Sequence, residues 1–146
     1  MQFFTGFDRI FIHTLRRSGV PILRVCLGIV FLWFGALKIL GASPVIGLIS
    51  TAYPFMPYPA FILILGIWEV AIGIGLIFKI ALRATLALLW LQMLGTLTAL
   101  LLAPSLFFSH GSILLLTTEG EFVVKNLVLI AAGMVIGGYE IPSQKI

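Results

Sequence analysis

Apolar residues fall into four long blocks, at positions 21–40, 59–80, 84–103 and 122–138, separated by short stretches that hold most of the polar and turn-forming residues. A helical membrane span takes about 20 apolar residues, so each block is long enough to cross a bilayer. In lipid, backbone N–H and C=O groups must be satisfied inside the segment, which makes four α-helices the expected elements. The expected fold is all-α: an integral membrane four-helix bundle over residues 19–139, one domain, followed by a tail at 140–146.

The connections set the expected orientation. Lys79 and Arg83 bracket a very short second connection and Arg9, Arg16 and Arg17 precede the first block, whereas positions 41–58 and 104–121 hold no Lys or Arg. The positive-inside rule then places both termini in the cytoplasm. Within residues 1–18, Phe3, Phe4, Phe7, Ile10 and Phe11 recur at helical spacing while Asp8, Arg9, His13 and Arg16 lie largely off that face. This predicts a short amphipathic helix in the cytoplasmic interface. The following run has the length of a full span and contains Arg24, so this leader is not expected to be a cleavable signal.

Between the spans, Ser43-Pro44 reads as an N-cap and first-turn proline for a short helix along the outer interface. Tyr53-Pro54-Phe55-Met56-Pro57-Tyr58-Pro59 stiffens the start of the second span, with tyrosines at headgroup depth. The third connection, with Leu106, Phe107, Phe108 and the apolar run 113–116, is too hydrophobic to be freely solvated and is expected to fold onto the bundle mouth. Thr118 and Glu121 are spaced as a capping box for the fourth span.

Composition narrows the function classes. With 61% of residues hydrophobic and 10% charged, the chain lies far from soluble domains, where about a quarter of residues are charged. The net charge of +4 comes from scattered Lys and Arg with no basic stripe, so nucleic acid is not an expected partner. Cys26 is the only cysteine, which excludes an intrachain disulfide, a CxxC redox pair and a cysteine-ligated cluster. His13 and His110 fall on opposite sides of the expected membrane, so no shared metal or haem is expected.

Polar groups inside the spans carry the candidate chemistry, because ionised residues there cost about 2.5–3.5 kcal/mol each on insertion scales. Arg24, Gly28, Phe31, Gly35 and Lys38 are spaced four, three, four and three, placing two cations and two glycines on one face that should look into the bundle. Glu69 lies about ten residues from either end of its span, or ~15 Å from both faces. Side chains tilt toward a helix N-terminus, so Lys38 and Glu69 point at each other across roughly 10–12 Å of depth, a gap for two extended side chains, a water or a ligand to close. Gln92, Gly95 and Thr96 lie near the same depth, and Gly66, Glu69 and Gly73 share a face.

Lys38, Glu69, Trp68, Gln92 and Lys125 are therefore the candidate ligand-binding residues, with Glu69 a candidate proton relay or, equally, a group that holds helices together. Lys125 tilts toward the outer surface, and Arg24 reads as a snorkelling topological charge. Arg24, Gly28, Gly35, Gly73, Gly133 and Gly137 are read as structural, Gly133-x-x-x-Gly137 also offering a self-association seam. Trp33, Trp68 and Trp90 read as bundle or lipid-facing bulk, or as stacking groups for a ligand.

The face Arg24-x-x-Leu27-Gly28-x-x-Phe31-x-x-x-Gly35-x-x-Lys38, followed by Gly66-x-Trp68-Glu69-x-x-x-Gly73-x-Gly75, resembles the DoxX family of small four-helix membrane proteins. The resemblance extends through Leu91-Gln92-Met93-x-Gly95-Thr96 and Glu119-Gly120-Glu121-Phe122-x-x-Lys125-Asn126, over most of residues 20–138. It implies a four-helix bundle in a bacterial plasma membrane and, for some members, a membrane subunit in quinone-linked thiosulfate oxidation or in an oxidative-stress complex with soluble redox enzymes. The resulting expectation is an accessory, redox-associated component, not an enzyme by itself, with no intrinsic cofactor and a polar intramembrane pocket for a quinone or a partner helix. A quinone-linked oxidoreductase subunit and a small proton-coupled transporter are the alternatives. The expected partners are the bilayer, a soluble redox enzyme or membrane protein, and a second copy of the chain.

Overall fold

The computed structural model describes residues 2–142, with side chains described from residue 8 onward. Among these described residues, seven helices follow in order: α1 (Gln2–Ile39), α2 (Ile46–Ala52), α3 (Ala60–Phe78), α4 (Leu82–Leu102), α5 (Pro104–Phe107), α6 (Thr118–Val124) and α7 (Asn126–Glu140). Among the described residues, four stretches are long and apolar enough to cross a membrane: Asp8–Ile39, Ala60–Phe78, Leu82–Leu102 and Thr118–Glu140. The described residues are mostly helical with no strand, and the four long apolar helices mark a multi-pass membrane protein.

The first helix departs from expectation. In place of a short leader helix followed by a span, α1 runs without interruption for 38 residues, or ~57 Å at ~1.5 Å per residue. Pro21 withholds one backbone N–H inside α1 but does not end it. Ile10, Phe11 and Leu15 are exposed, while the side chains of Phe3, Phe4 and Phe7 lie outside the described residues. Residues 143–146 of the expected tail also lie outside them.

The spans form an antiparallel ring in which α1 packs on α3, α3 on α4, α4 on α7 and α7 on α1. The core is made by the inward faces of all four: Leu27 and Phe31, Ile72 and Leu76, Leu86, Leu89 and Met93, and Ile136. Helix association in lipid relies on close packing and interhelical hydrogen bonds, since lipid tails are as apolar as Leu. The α1–α3 contact shows how glycine permits this. A Cβ on Gly73 would sit 2.6 Å from the Leu32 nitrogen and one on Gly35 2.6 Å from the Gly66 carbonyl oxygen, so the two backbones touch.

The α3–α4 turn consists of Lys79, Ile80 and Ala81, with Lys79 (φ 58°) and Ala81 (φ 43°) in the left-handed region. At the opposite end, α2, α5 and α6 close the bundle mouth as the apolarity of the third connection predicted. Phe107 is fully buried there with Ala52, Ala99 and Val123, and Phe108 bridges to Leu116.

Two caps differ from expectation. Ser43 does not cap α2, which starts two residues later than the Ser-Pro pair implies and has Val45 as its N-cap. Thr117, not Thr118, caps α6 by accepting the Gly120 N–H at 3.1 Å. The third helical position is then Gly120, which has no side chain to reach back, so no capping box forms. The fourth span also divides at Lys125 into α6 and α7.

Candidate functional site

The α1–α3 approach carries Lys38 to Glu69. A Cβ on Gly66 would lie 3.1 Å from the Lys38 Cβ, so Lys38 enters one helical turn from Glu69, and its extended side chain closes the remaining distance. Lys38 Nζ donates to Glu69 Oε2 at 2.6 Å, with both side chains at most one-tenth exposed. The depth gap between them is closed by direct contact. Lys38 also stands in the last turn of α1, where the helix dipole favours a cation.

Glu69 has a second partner. Gln92 Nε2 on α4 donates to Glu69 Oε1 at 2.6 Å, so one carboxylate joins α1, α3 and α4. An ionised carboxylate accepts only, which fixes the orientation of the Gln92 amide. Its oxygen, Gln92 Oε1, is buried and has no hydrogen-bond partner among the described residues. Beside it on α4, Gly95 has nothing within 4 Å of where a Cβ would stand, leaving an open flank.

Trp68 is near this centre in sequence but serves another contact, its Nε1 donating to the Leu88 carbonyl of α4 at 3.2 Å. Trp90 likewise donates to the Ile130 carbonyl of α7 at 3.4 Å, and Trp33 is exposed. Lys125 is not brought to the centre; it is exposed, with its ammonium 3.9 Å from Glu121. The Gly133–Gly137 seam is occupied within the bundle, Gly133 facing Trp90 and Gly137 facing Leu86 of α4.

Arg24 differs most from its sequence reading. It does not snorkel free: its guanidinium donates to the Leu76 carbonyl and, at 3.0 Å, to the Ile77 carbonyl at the end of α3, and to Glu140 Oε1 at 3.0 Å. These carbonyls are helix-terminal acceptors that lack intrahelical donors. Lys79 adds an ion pair to Glu140 at 3.1 Å. Sequence reasoning places Glu140 in the tail at 140–146 and so overlooks it. The spacing Gly133, Ile136, Gly137, Glu140 places it on the inward face of α7, and would have located it.

Tyr53, expected only at headgroup depth, makes a further interhelical contact. Its hydroxyl donates to the Gly95 carbonyl at 2.6 Å and lies 3.0 Å from Thr98 Oγ1, fastening the α2–α3 connection to α4. No sequence spacing reports a contact between a loop tyrosine and a helix 42 residues away. A cleft of about 420 Å³ lies at the α3–α4 turn and one of about 80 Å³ beside Tyr53 and Tyr58; neither is lined by Lys38, Glu69 or Gln92.

No protein-family model, curated protein or solved structure matches the chain.

Proposed function

We propose that this chain is a DoxX-like accessory component of a bacterial plasma membrane, with both termini in the cytoplasm, whose Lys38–Glu69–Gln92 centre receives the polar head of a quinone-class ligand. The observation that carries the reading is Gln92 Oε1, a buried acceptor with no partner among the described residues, beside a buried ion pair. An unsatisfied buried polar group costs about 1–3 kcal/mol, and a ligand hydroxyl would relieve it. A quinol supplies that hydroxyl. The same ring in its oxidised form presents a carbonyl, for which Lys38 has further N–H donors beyond the one that Glu69 takes.

The open flank at Gly95 supports approach from the lipid side, the route by which a membrane-dissolved molecule arrives. A bound quinone would supply two-electron chemistry; the chain's own residues bind and orient its head. Glu69 adds a carboxylate able to exchange a proton with it, so an electron-accepting role requires a redox partner. The arginines and lysines at the α3–α4 turn and in the leader support the cytoplasmic placement of that end.

The test is decylubiquinol binding to the full chain in phosphatidylcholine nanodiscs, read by native mass spectrometry. Wild type should retain the quinol. Gln92→Leu, which keeps the Lys38–Glu69 pair, should weaken retention about tenfold, a loss equal to one buried hydrogen bond. No adduct on wild type, or equal retention by Gln92→Leu, would overturn the reading.

A further inference from the structure

The cleft at the α3–α4 turn is lined by Lys79, Arg83, Glu140 and the opening residues of α4, Leu82 and Ala84. Among the described residues around this cleft, three cations stand against one acid: Arg24 and Lys79 engage Glu140, and Arg83 donates to the Pro142 carbonyl at 3.1 Å. Glu140 is therefore paired with two cations, although its Oε2 is buried with no hydrogen-bond partner among the described residues. Among the described residues, Arg83 uses one of its five N–H donors in that contact. The Lys79 side chain is half-exposed, and an ion pair so placed is weak enough for its ammonium to be shared.

The backbone adds to the same cleft. α4 is 21 residues long, and its N-cap, Ala81, makes no side-chain hydrogen bond to the first turn. Among the described residues, the first N–H groups of α4 thus lack both intrahelical and side-chain capping acceptors, at the positive end of the helix dipole. An anion is the ligand such donors accept. Phe78 and Ile80, the chain neighbours of Lys79, are exposed and extend the apolar surface of a recess that Leu82, Ala84 and Ile141 line together with Lys79 and Arg83.

We propose that this cleft binds a phosphate-bearing anion, the phosphodiester headgroup of an anionic membrane lipid. Arg83 and Lys79 hold the phosphate over the first turn of α4, and Phe78 and Ile80 lie beside the acyl chains. The apolar border distinguishes a lipid from free phosphate, which would have no use for it. Basic recesses between membrane helices recognise anionic headgroups by this combination of charge and position. The inference is independent of the quinone reading.

The full chain, reconstituted in nanodiscs, is titrated with phosphatidylglycerol and phosphatidylcholine of matched acyl chains, with and without excess inorganic phosphate, and read by native mass spectrometry. Wild type should prefer phosphatidylglycerol, and Lys79→Gln and Arg83→Gln should each lower its retention about fivefold. Arg83→Lys should retain most of the binding, and a thermal unfolding curve unchanged in the variants would show the losses to be local. Arg24 is left intact because it caps α3. Displacement by inorganic phosphate without a preference between the two lipids would overturn the headgroup in favour of a soluble anion. Equal phosphatidylglycerol retention by wild type and Lys79→Gln/Arg83→Gln would overturn the site itself.

Discussion

Lys38 and Glu69 stand 31 residues apart, near the end of α1 and the middle of α3, and their charged atoms meet at 2.6 Å. Removing both charges from water is costly, and the pair is tolerated because Glu69 accepts a charge-assisted bond from Lys38 and another from Gln92. Breaking it from one side leaves a buried charge with reduced compensation. Glu69→Leu and Lys38→Met should each destabilise the bundle by about 3–5 kcal/mol, while the double variant should regain most of that loss. Reversible unfolding in mixed micelles measures the cycle; additive losses would show that the pair is not coupled.

Glycine positions should separate sharply by contact. Gly73→Ala places a methyl carbon 2.6 Å from the Leu32 nitrogen, forcing α1 and α3 apart at a cost of about 1–3 kcal/mol. Gly95→Ala meets nothing within 4 Å and should be neutral or stabilising by up to about 1 kcal/mol through helix propensity. Thermal unfolding of the two variants side by side checks the contrast, and an equal loss in both would contradict the packing.

Ala81 holds a left-handed conformation, φ 43° and ψ 48°, which costs an L-residue about 1–2 kcal/mol. Ala81→Gly relieves it while keeping the Ala81 carbonyl as acceptor for the Thr85 N–H. After the greater unfolded-state entropy of glycine is counted, stability should rise by about 0.5–1 kcal/mol. A lower unfolding midpoint would argue against this turn geometry.

Thr117 accepts from the Gly120 N–H and donates to the Leu106 carbonyl at 2.7 Å, linking α6 to α5. Thr117→Ala should cost about 0.5–2 kcal/mol, the range for a lost N-cap. The effect should be local. Amide exchange should accelerate across residues 104–124 and remain slow in α3, and Thr117→Ser should restore protection. Unchanged exchange in Thr117→Ala would remove the cap from the account.

Much of the architecture is legible in the residue order. The four spans follow from apolar length, and the inward face of α1 from the three-and-four spacing that brings Arg24, Gly28, Phe31, Gly35 and Lys38 together. Helical tilt indicated that Lys38 and Glu69 approach each other. These are properties of a single helix, its period, length and Cβ direction, so local sequence carries them.

What required the tertiary structure is where one helix meets another. The chain order puts Gln92 at the depth of Glu69, but nothing in it says that Gln92 bonds to the Glu69 carboxylate while Lys125 stands apart, that Gly133 and Gly137 are filled by Trp90 and Leu86, or that Arg24 grips the end of α3 and Glu140. The continuity of α1 through Pro21 and the one-residue shift of the α6 cap are of the same kind. Each depends on rotations about helix axes and on close contacts between distant segments, where a displacement of a few ångströms decides whether a polar atom finds a partner.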